Sequence, residues 1–206
     1  MDVWDMTAAE RASLVEALAA LPEASWDQPS WCAGWNVRDV VGHVIAAATE
    51  TTAGFFAHLA GAGFNFDRFT DKRTHGITAG RSTKELVDTL RARISTRNSP
   101  PGPKQTWLGE VVIHGEDIFR PLGIPREHPM EHVLVVADFY KGSNLVVGAK
   151  KRIAGLTLRA TDAQWTTGTG PEVTGPALSL LMAMVGRGQV LADLGGAGVD
   201  QLRARC

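Results

Sequence analysis

The stretch that decides the fold of this chain is Gly109-Glu110-Val111-Val112-Ile113-His114-Gly115-Glu116-Asp117. Glu110 and His114 are four residues apart, so in a helix they lie on one face, one turn above the other. A carboxylate and an imidazole in that arrangement can bind one divalent metal ion. A further histidine from another helix would complete a His2Glu set with an open coordination position, which is typical of catalytic zinc.

The chain offers that further histidine at His43, in a stretch rich in valine and alanine. Helical bundles build metal sites from inward-facing carboxylates and imidazoles on neighbouring helices, so His43, Glu110 and His114 form a candidate metal site. From the residues alone, two other interpretations stay open: a hydrogen-bonded core histidine at position 43, and an ordinary surface pair of Glu110 with His114. Asp117, one turn further along, either holds a ligand histidine by a hydrogen bond or solvates the helix end.

Five helices are predicted in the first 148 residues. Thr7 and Glu10 form a capping-box pattern at the start of the first helix. Asn36 is a favourable N-cap for the second helix, which we expect to run to about Ala60. The remaining three are predicted to begin at Ser82, at about Gln105 and at Pro129, and to end near Ile94, Phe119 and Val147.

Residues 61–82 lie between two of these helices and are rich in glycine, so we expect a long irregular loop. The periodicity changes near residue 150. Three short strands are predicted at residues 153–160, 164–167 and 172–174, and two helices at residues 176–186 and 199–205. The predicted organisation is a helical bundle over residues 1–148 and a small α/β domain over residues 149–206.

Composition excludes several classes of function. The net charge is −1 and the one basic run is the short Lys150-Lys151-Arg152. We therefore expect no nucleic-acid partner, because such binding rests on clustered positive charge. The chain begins without a signal-peptide pattern and has no apolar run of membrane-spanning length, so we expect a cytoplasmic protein without a membrane partner. Its two cysteines form no disulfide framework.

Other residues that could carry chemistry are weaker candidates. Cys32 has no basic neighbour in the sequence, so we expect a small apolar residue rather than a reactive thiol. Arg187 follows the apolar run of residues 180–186, where it either caps helix carbonyls or binds a substrate carboxylate. The other four histidines are expected at the surface, namely His58, His75, His128 and His132.

Three segments carry a resemblance to a known family. The first reads Pro29-Ser30-x-Cys32-x-Gly34-Trp35-x-Val37-Arg38-Asp39-Val40-Val41-x-His43. It resembles the N-terminal signature of the mycothiol-dependent maleylpyruvate isomerase family, within the DinB-like metal-binding superfamily. The second reads Glu110-x-x-x-His114-x-x-Asp117-Ile118-x-Arg120-Pro121-Leu122-Gly123 and is similar to the second signature, although Phe119 stands where the family often has arginine. The tail, residues 158–187, is similar to the family's sterol-carrier-like domain.

The resemblance implies an α+β, mainly α fold, with a DinB-like four-helix bundle followed by a small sterol-carrier-like α/β domain. It implies His43, Glu110 and His114 as the metal ligands, with zinc the most usual metal, and mycothiol as the thiol cofactor. It also implies that Arg187 matches an arginine that the isomerases use. The implied activity is an isomerase or S-transferase, in which a metal-bound thiolate adds to a small electrophile that carries a carboxylate.

Two alternatives stay open at this point. A metal-dependent hydrolase would use a bound water and would need no thiol. A non-catalytic protein would hold the metal for structure alone, or would carry an apolar ligand. The sequence names neither the physiological substrate nor the metal, and it leaves open whether the chain is a monomer or a homodimer.

Overall fold

The computed structural model describes all 206 residues, which divide into two compact units, Met1–Glu127 and His128–Cys206. The N-terminal unit is helical. Its α-helices are α1 (Val3–Ala19), α2 (Val37–Thr49), α3 (Thr52–Gly61), α4 (Phe66–Thr78), α5 (Thr83–Arg91) and α6 (Lys104–Phe119).

Four of these helices, α1, α2, α5 and α6, form the core of the N-terminal unit. α1 and α2 each pack against both α5 and α6, so the predicted four-helix bundle is confirmed. Burial of each large apolar side chain in such a core contributes about 1.5–3 kcal/mol. The shared core consists of Leu14, Val15, Leu18, Trp26, Val37, Val40, Val41, Val44, Ile45, Leu86, Val87, Leu90, Val111, Ile118 and Phe119.

The start of α2 is fixed by a reciprocal cap. The Asn36 side chain accepts a hydrogen bond from the Asp39 backbone N–H at 2.9 Å, and the Asp39 carboxylate accepts one from the Asn36 N–H at 3.2 Å. Ser82 and Glu85 form the same motif at α5, so both predicted helix starts are confirmed. The cap on α2 matters for the site because it sets the point from which the helix presents His43.

Two other predicted boundaries are wrong. α1 begins at Val3 rather than near Thr7, because the Thr7 hydroxyl donates to the Val3 carbonyl, at 2.8 Å, inside the helix instead of capping its end. α2 ends at Thr49 rather than near Ala60. The break falls at Glu50, whose backbone is extended, with φ −69° and ψ 145°.

The predicted irregular loop over residues 61–82 is also wrong, because α4 occupies most of it and packs against α2. Its helical pattern is hard to detect in the sequence, since only three residues of α4 are buried. The contact with α2 is made at Gly42. A Cβ atom there would lie 2.5 Å from Cγ2 of Thr78 and 3.1 Å from the carbonyl oxygen of Thr74.

The C-terminal unit combines short helices with a small sheet. Its elements are α7 (Met130–Tyr140), α8 (Ala149–Arg152), β1 (Thr157–Ala160), β2 (Thr166–Gly168), β3 (Glu172–Gly175), α9 (Ala177–Met184) and α10 (Val199–Arg203). The strand order is β2-β1-β3, with β2 antiparallel and β3 parallel to β1. The predicted fold class, α+β and mainly α, is confirmed. No helix of the chain combines the length and the apolar character that a membrane crossing requires.

The helix α7 groups with the C-terminal unit because it packs against α9. It ends at Tyr140 rather than near Val147, since turns follow from Lys141 onward. The domain prediction, with its boundary after residue 148, therefore differs from the observed division by one helix.

The close approach of α2 and α4 gives a test of the fold. Gly42→Ala should lower the free energy of unfolding by up to about 2 kcal/mol, because overpacking costs about 1–3 kcal/mol whereas the gain in helix propensity returns only roughly 1 kcal/mol. Gly76→Ala is the matched control, since that glycine lies in α4 with open space around its Cβ position. The control should gain about 0.5–1 kcal/mol. Urea denaturation measures both, and equal stability of the two variants would contradict the contact.

Candidate metal centre

The structure brings the three candidate ligands together inside the N-terminal unit. His43 projects from α2, whereas Glu110 and His114 project from α6. The distance from Nε2 of His43 to Oε1 of Glu110 is 2.8 Å, and that from Nε2 of His114 to Oε2 of Glu110 is 3.4 Å. One potential donor atom from each residue lies within 4.8 Å of those of the other two. The pair of Glu110 and His114 on α6 thus meets His43, which precedes Glu110 by 67 positions in the sequence.

Each oxygen of the Glu110 carboxylate faces one imidazole. Burial alone would raise the pKa of Glu110, but the nearby charges of His43 and His114 outweigh it and hold that pKa well below its usual value. Burial would likewise lower the pKa of His114, but the charge of Glu110, with hydrogen bonds to Asp117, Cys32 and Glu110, raises it well above its usual value. Without a metal, the site therefore favours the ionised form of the Glu110 carboxylate and the protonated form of the His114 imidazole.

This donor set fits a divalent metal ion. Two imidazoles and one carboxylate are the ligands of many catalytic zinc sites, and a cation bound there would replace the positive charge that the imidazolium supplies. The side chains of His43, Glu110 and His114 are 20%, 21% and 14% exposed. A site whose three donors are all partly exposed leaves a side from which a further ligand can approach.

Asp117 contacts the ring nitrogen of His114 that does not face Glu110. Its Oδ2 lies 2.9 Å from Nδ1 of His114, and its side chain is fully buried. A carboxylate at this nitrogen favours the tautomer with a proton on Nδ1, so the lone pair of Nε2 is directed at the metal position. Of the two roles considered for Asp117, the hydrogen bond to a candidate ligand is the one observed.

The loop that precedes α2 contacts both helices that carry the candidate ligands. The Trp35 ring lies 5.2 Å from the His43 ring, measured between centroids. The Trp31 backbone N–H donates to the Asp117 carbonyl at 2.9 Å, which fastens the loop to α6. The Ser30 hydroxyl donates to the Trp35 carbonyl at 2.8 Å and so stabilises the turn between them.

Cys32 is the residue of this region that the sequence analysis missed. Its Sγ lies 3.1 Å from Oδ2 of Asp117 and 3.5 Å from Nδ1 of His114. Cys32 packs against the apolar core, as expected of a small apolar residue, but its thiol also contacts polar groups on α6, 85 and 82 positions away in the sequence. The residues adjacent to Cys32 in the sequence therefore give no sign of these contacts with Asp117 and His114.

Cys32, His114 and Asp117 form a second group of potential metal donors. The two groups share His114, through Nε2 in the first and Nδ1 in the second. A neutral imidazole has one free lone pair, so the two groups are alternatives for one ion.

The remaining histidines lie outside these groups. His58 and His75 are exposed, as expected, and His128 is half-buried. His132 on α7 is buried, so the prediction of a surface position is wrong. Its helix packs in the C-terminal unit, which the sequence pattern around it does not show.

Arg187 lies in the C-terminal unit, three residues after the end of α9. It is half-buried, and its Nη1 donates to the Val185 carbonyl at 3.3 Å. This bond agrees with one of the two interpretations of Arg187, in which it caps carbonyls at the helix end.

Comparison with protein families adds to this geometry. Residues 7–99 match the family model of the mycothiol maleylpyruvate isomerase N-terminal domain. This part of the chain is similar to the N-terminal domain of that family. The match includes the loop of residues 29–36 and all of α2 with His43, whereas Glu110 and His114 lie beyond it. This match confirms the family resemblance of the segment from Pro29 to His43.

Two solved structures share the fold over nearly the whole chain. One is a mycothiol-dependent maleylpyruvate isomerase, with a TM-score of 0.66 and 15% identity, covering 95% of this chain and 92% of that one. The other is a mutant of such an isomerase with one histidine replaced by alanine, with a TM-score of 0.65, 14% identity and the same coverage. At this identity the likeness shows the fold, which is the DinB-like fold of that enzyme. No curated protein sequence matches the chain.

The raised pKa of His114 predicts how the metal-free protein depends on pH. A histidine with a raised folded-state pKa stabilises the fold fully below its unfolded pKa, about 6.5, and loses that contribution as the pH rises through the folded-state value. The free energy of unfolding in a chelator should therefore fall between about pH 6 and pH 8.5 in the parent.

His114→Gln should show a smaller fall over the same range, because it lacks the titrating group. Urea denaturation at several pH values measures both proteins. The range ends below pH 9 because burial raises the pKa of Cys206, which would add its own slope at higher pH. Parallel curves for the parent and the variant would contradict the assignment to His114.

Proposed function

We propose that this chain is a metal-dependent, mycothiol-dependent enzyme that acts on a small electrophile carrying a carboxylate. The observation that supports this most strongly is the convergence of His43, Glu110 and His114 around one position, with Asp117 behind His114. The N-terminal family, whose name includes mycothiol and maleylpyruvate isomerase, favours a thiol over water as the further reactant.

In this proposal His43, Glu110 and His114 hold the metal, for which zinc is the first candidate. When bound, zinc would supply Lewis acidity, which lowers the pKa of a thiol in the open position and makes it a thiolate at neutral pH. The Glu110 carboxylate offsets part of the charge of the ion. Asp117 keeps the His114 ring in the orientation that aims Nε2 at the ion, and Trp35 covers one side of His43.

Arg187 is our candidate for binding the substrate carboxylate. A guanidinium can bind a carboxylate through two parallel N–H···O bonds, which supplies both affinity and orientation. The support is the similarity of the C-terminal tail to the isomerase family, together with the half-buried position of the side chain.

Isomerisation returns the thiol unchanged whereas S-transfer consumes it, so measuring thiol consumption distinguishes the two reactions.

The first experiment tests the metal and the thiol together. Untagged parent protein should contain about one zinc per chain, and mycothiol should raise its melting temperature. His114→Ala should lose most of the zinc and the mycothiol shift, because one of three protein ligands is gone. His75→Ala is the matched control, since this exposed histidine on α4 belongs to neither donor group.

Elemental mass spectrometry and thermal denaturation give the two readouts. A parent that stays metal-free even after zinc is supplied would contradict the proposal. Turnover of an electrophilic ester or amide by the zinc-loaded protein without any thiol would replace it with metal-assisted hydrolysis.

The role of Arg187 predicts a separate kinetic result. Arg187→Ala should keep its zinc, but its kcat/KM for a carboxylate substrate should fall by about 10- to 100-fold. This is the effect of losing a charged hydrogen bond worth roughly 1.5–3 kcal/mol. Maleylpyruvate is the first substrate to test. Arg187→Lys should recover only part of this loss, because an ammonium group cannot bind bidentately. Steady-state kinetics with mycothiol measure both, and unchanged constants in Arg187→Ala would leave carbonyl capping as its role.

A further inference from the structure

We propose that Cys32 is a positioning residue of the metal centre. Its thiol holds the Asp117 carboxylate that orients His114, and it is not itself a metal ligand. This inference rests on the proposed metal site, which it extends by one residue at the Nδ1 side of the His114 ring.

The first argument is the hydrogen bond itself. An ionised carboxylate oxygen can only accept, so the thiol is the donor in the 3.1 Å contact between Cys32 and Asp117. The same Oδ2 atom also faces Nδ1 of His114 at 2.9 Å. Because the Asp117 side chain is fully buried, its charge depends on such donors, and two of them meet at a single oxygen. The thiol therefore helps to fix the oxygen on which the His114 tautomer depends.

The second argument is that the backbone places the thiol. The Cys32 N–H donates to the Ser30 hydroxyl at 3.1 Å, and the neighbouring Trp31 N–H donates to the Asp117 carbonyl at 2.9 Å. The loop is thus attached to Asp117 twice, once through a side chain and once through the main chain. Such a double attachment is expected of a residue that supports the position of Asp117.

The third argument separates positioning from ligation. Cys32 lies at the Nδ1 side of the His114 ring, whereas Glu110 and His43 define a site at the Nε2 side. For Cys32 to bind the ion, His114 would have to give up its hydrogen bond to Asp117. The resulting site would include a fully buried carboxylate, whereas the three donors of the first group are all partly exposed and leave an approach for a further ligand.

The test compares Cys32→Ala with Cys32→Ser in the full-length, metal-free protein. Zinc affinity is measured by competition with a chelating dye. Cys32→Ala should bind zinc about 10-fold more weakly. This is the lower end of the loss in metal affinity expected when a group that supports a metal ligand by hydrogen bonding is removed. Cys32→Ser should recover most of the affinity, because its hydroxyl can still donate to Asp117. Cys206→Ser, which changes the other cysteine, should match the parent.

A second readout distinguishes a positioning residue from a ligand. The parent protein loaded with cadmium should lack the ultraviolet thiolate-to-metal charge-transfer band that cysteine ligation produces. A band in the parent that persists in Cys206→Ser would overturn the inference and make Cys32 a ligand. This measurement needs no Cys32 variant, so it decides between the two roles even if Cys32→Ala does not fold.

The outcomes also separate this inference from the proposed function. Unchanged zinc affinity in Cys32→Ala overturns the positioning role and leaves the metal site intact. Equal weakening in Cys32→Ser and Cys32→Ala also overturns it, because the donor group would then be irrelevant. A parent that binds neither zinc nor cadmium overturns the metal site and this inference together.

Discussion

The carboxylate of Glu110 stands between two imidazoles that come from different helices, and much of the N-terminal unit serves to keep it there. Such an arrangement tolerates little movement, because a charged group in a partly buried site is favourable only while its partners stay within hydrogen-bonding distance. α2 and α6 must therefore keep a fixed register. The cap at Asn36, the shared apolar core and the attachment of the preceding loop to α6 each contribute to it.

The loop of residues 29–36 has a larger role than a connection between helices. It contacts His43 through Trp35 and Asp117 through both Trp31 and Cys32. A segment without regular structure thus reaches both sides of the candidate metal site. This agrees with the general tendency of functional groups to lie on loops that a rigid scaffold positions.

Local signals were enough to predict much of this molecule. Capping residues and the spacing of apolar side chains predicted α2, α5 and α6, and helical periodicity placed Glu110 and His114 on one face. Three of the failures share a cause, which is that tertiary contacts decided the outcome. α4 is too polar for its sequence to show a buried face, Cys32 acquires its polar neighbours from a distant helix, and His132 is buried by packing within the C-terminal unit.

The separation of the candidate ligands along the chain bears on how the protein folds. His43 precedes Glu110 by 67 positions, so no short fragment contains the complete set of donors. In small zinc-finger domains the ion can organise a local nucleus, because its ligands are close in sequence. Here the bundle must bring α2 to α6 before three donors exist, and a contact so distant in sequence must first offset the entropy of closing the intervening loop. A metal ion would then act on the finished fold, by mass action on the native state, rather than direct the chain toward it.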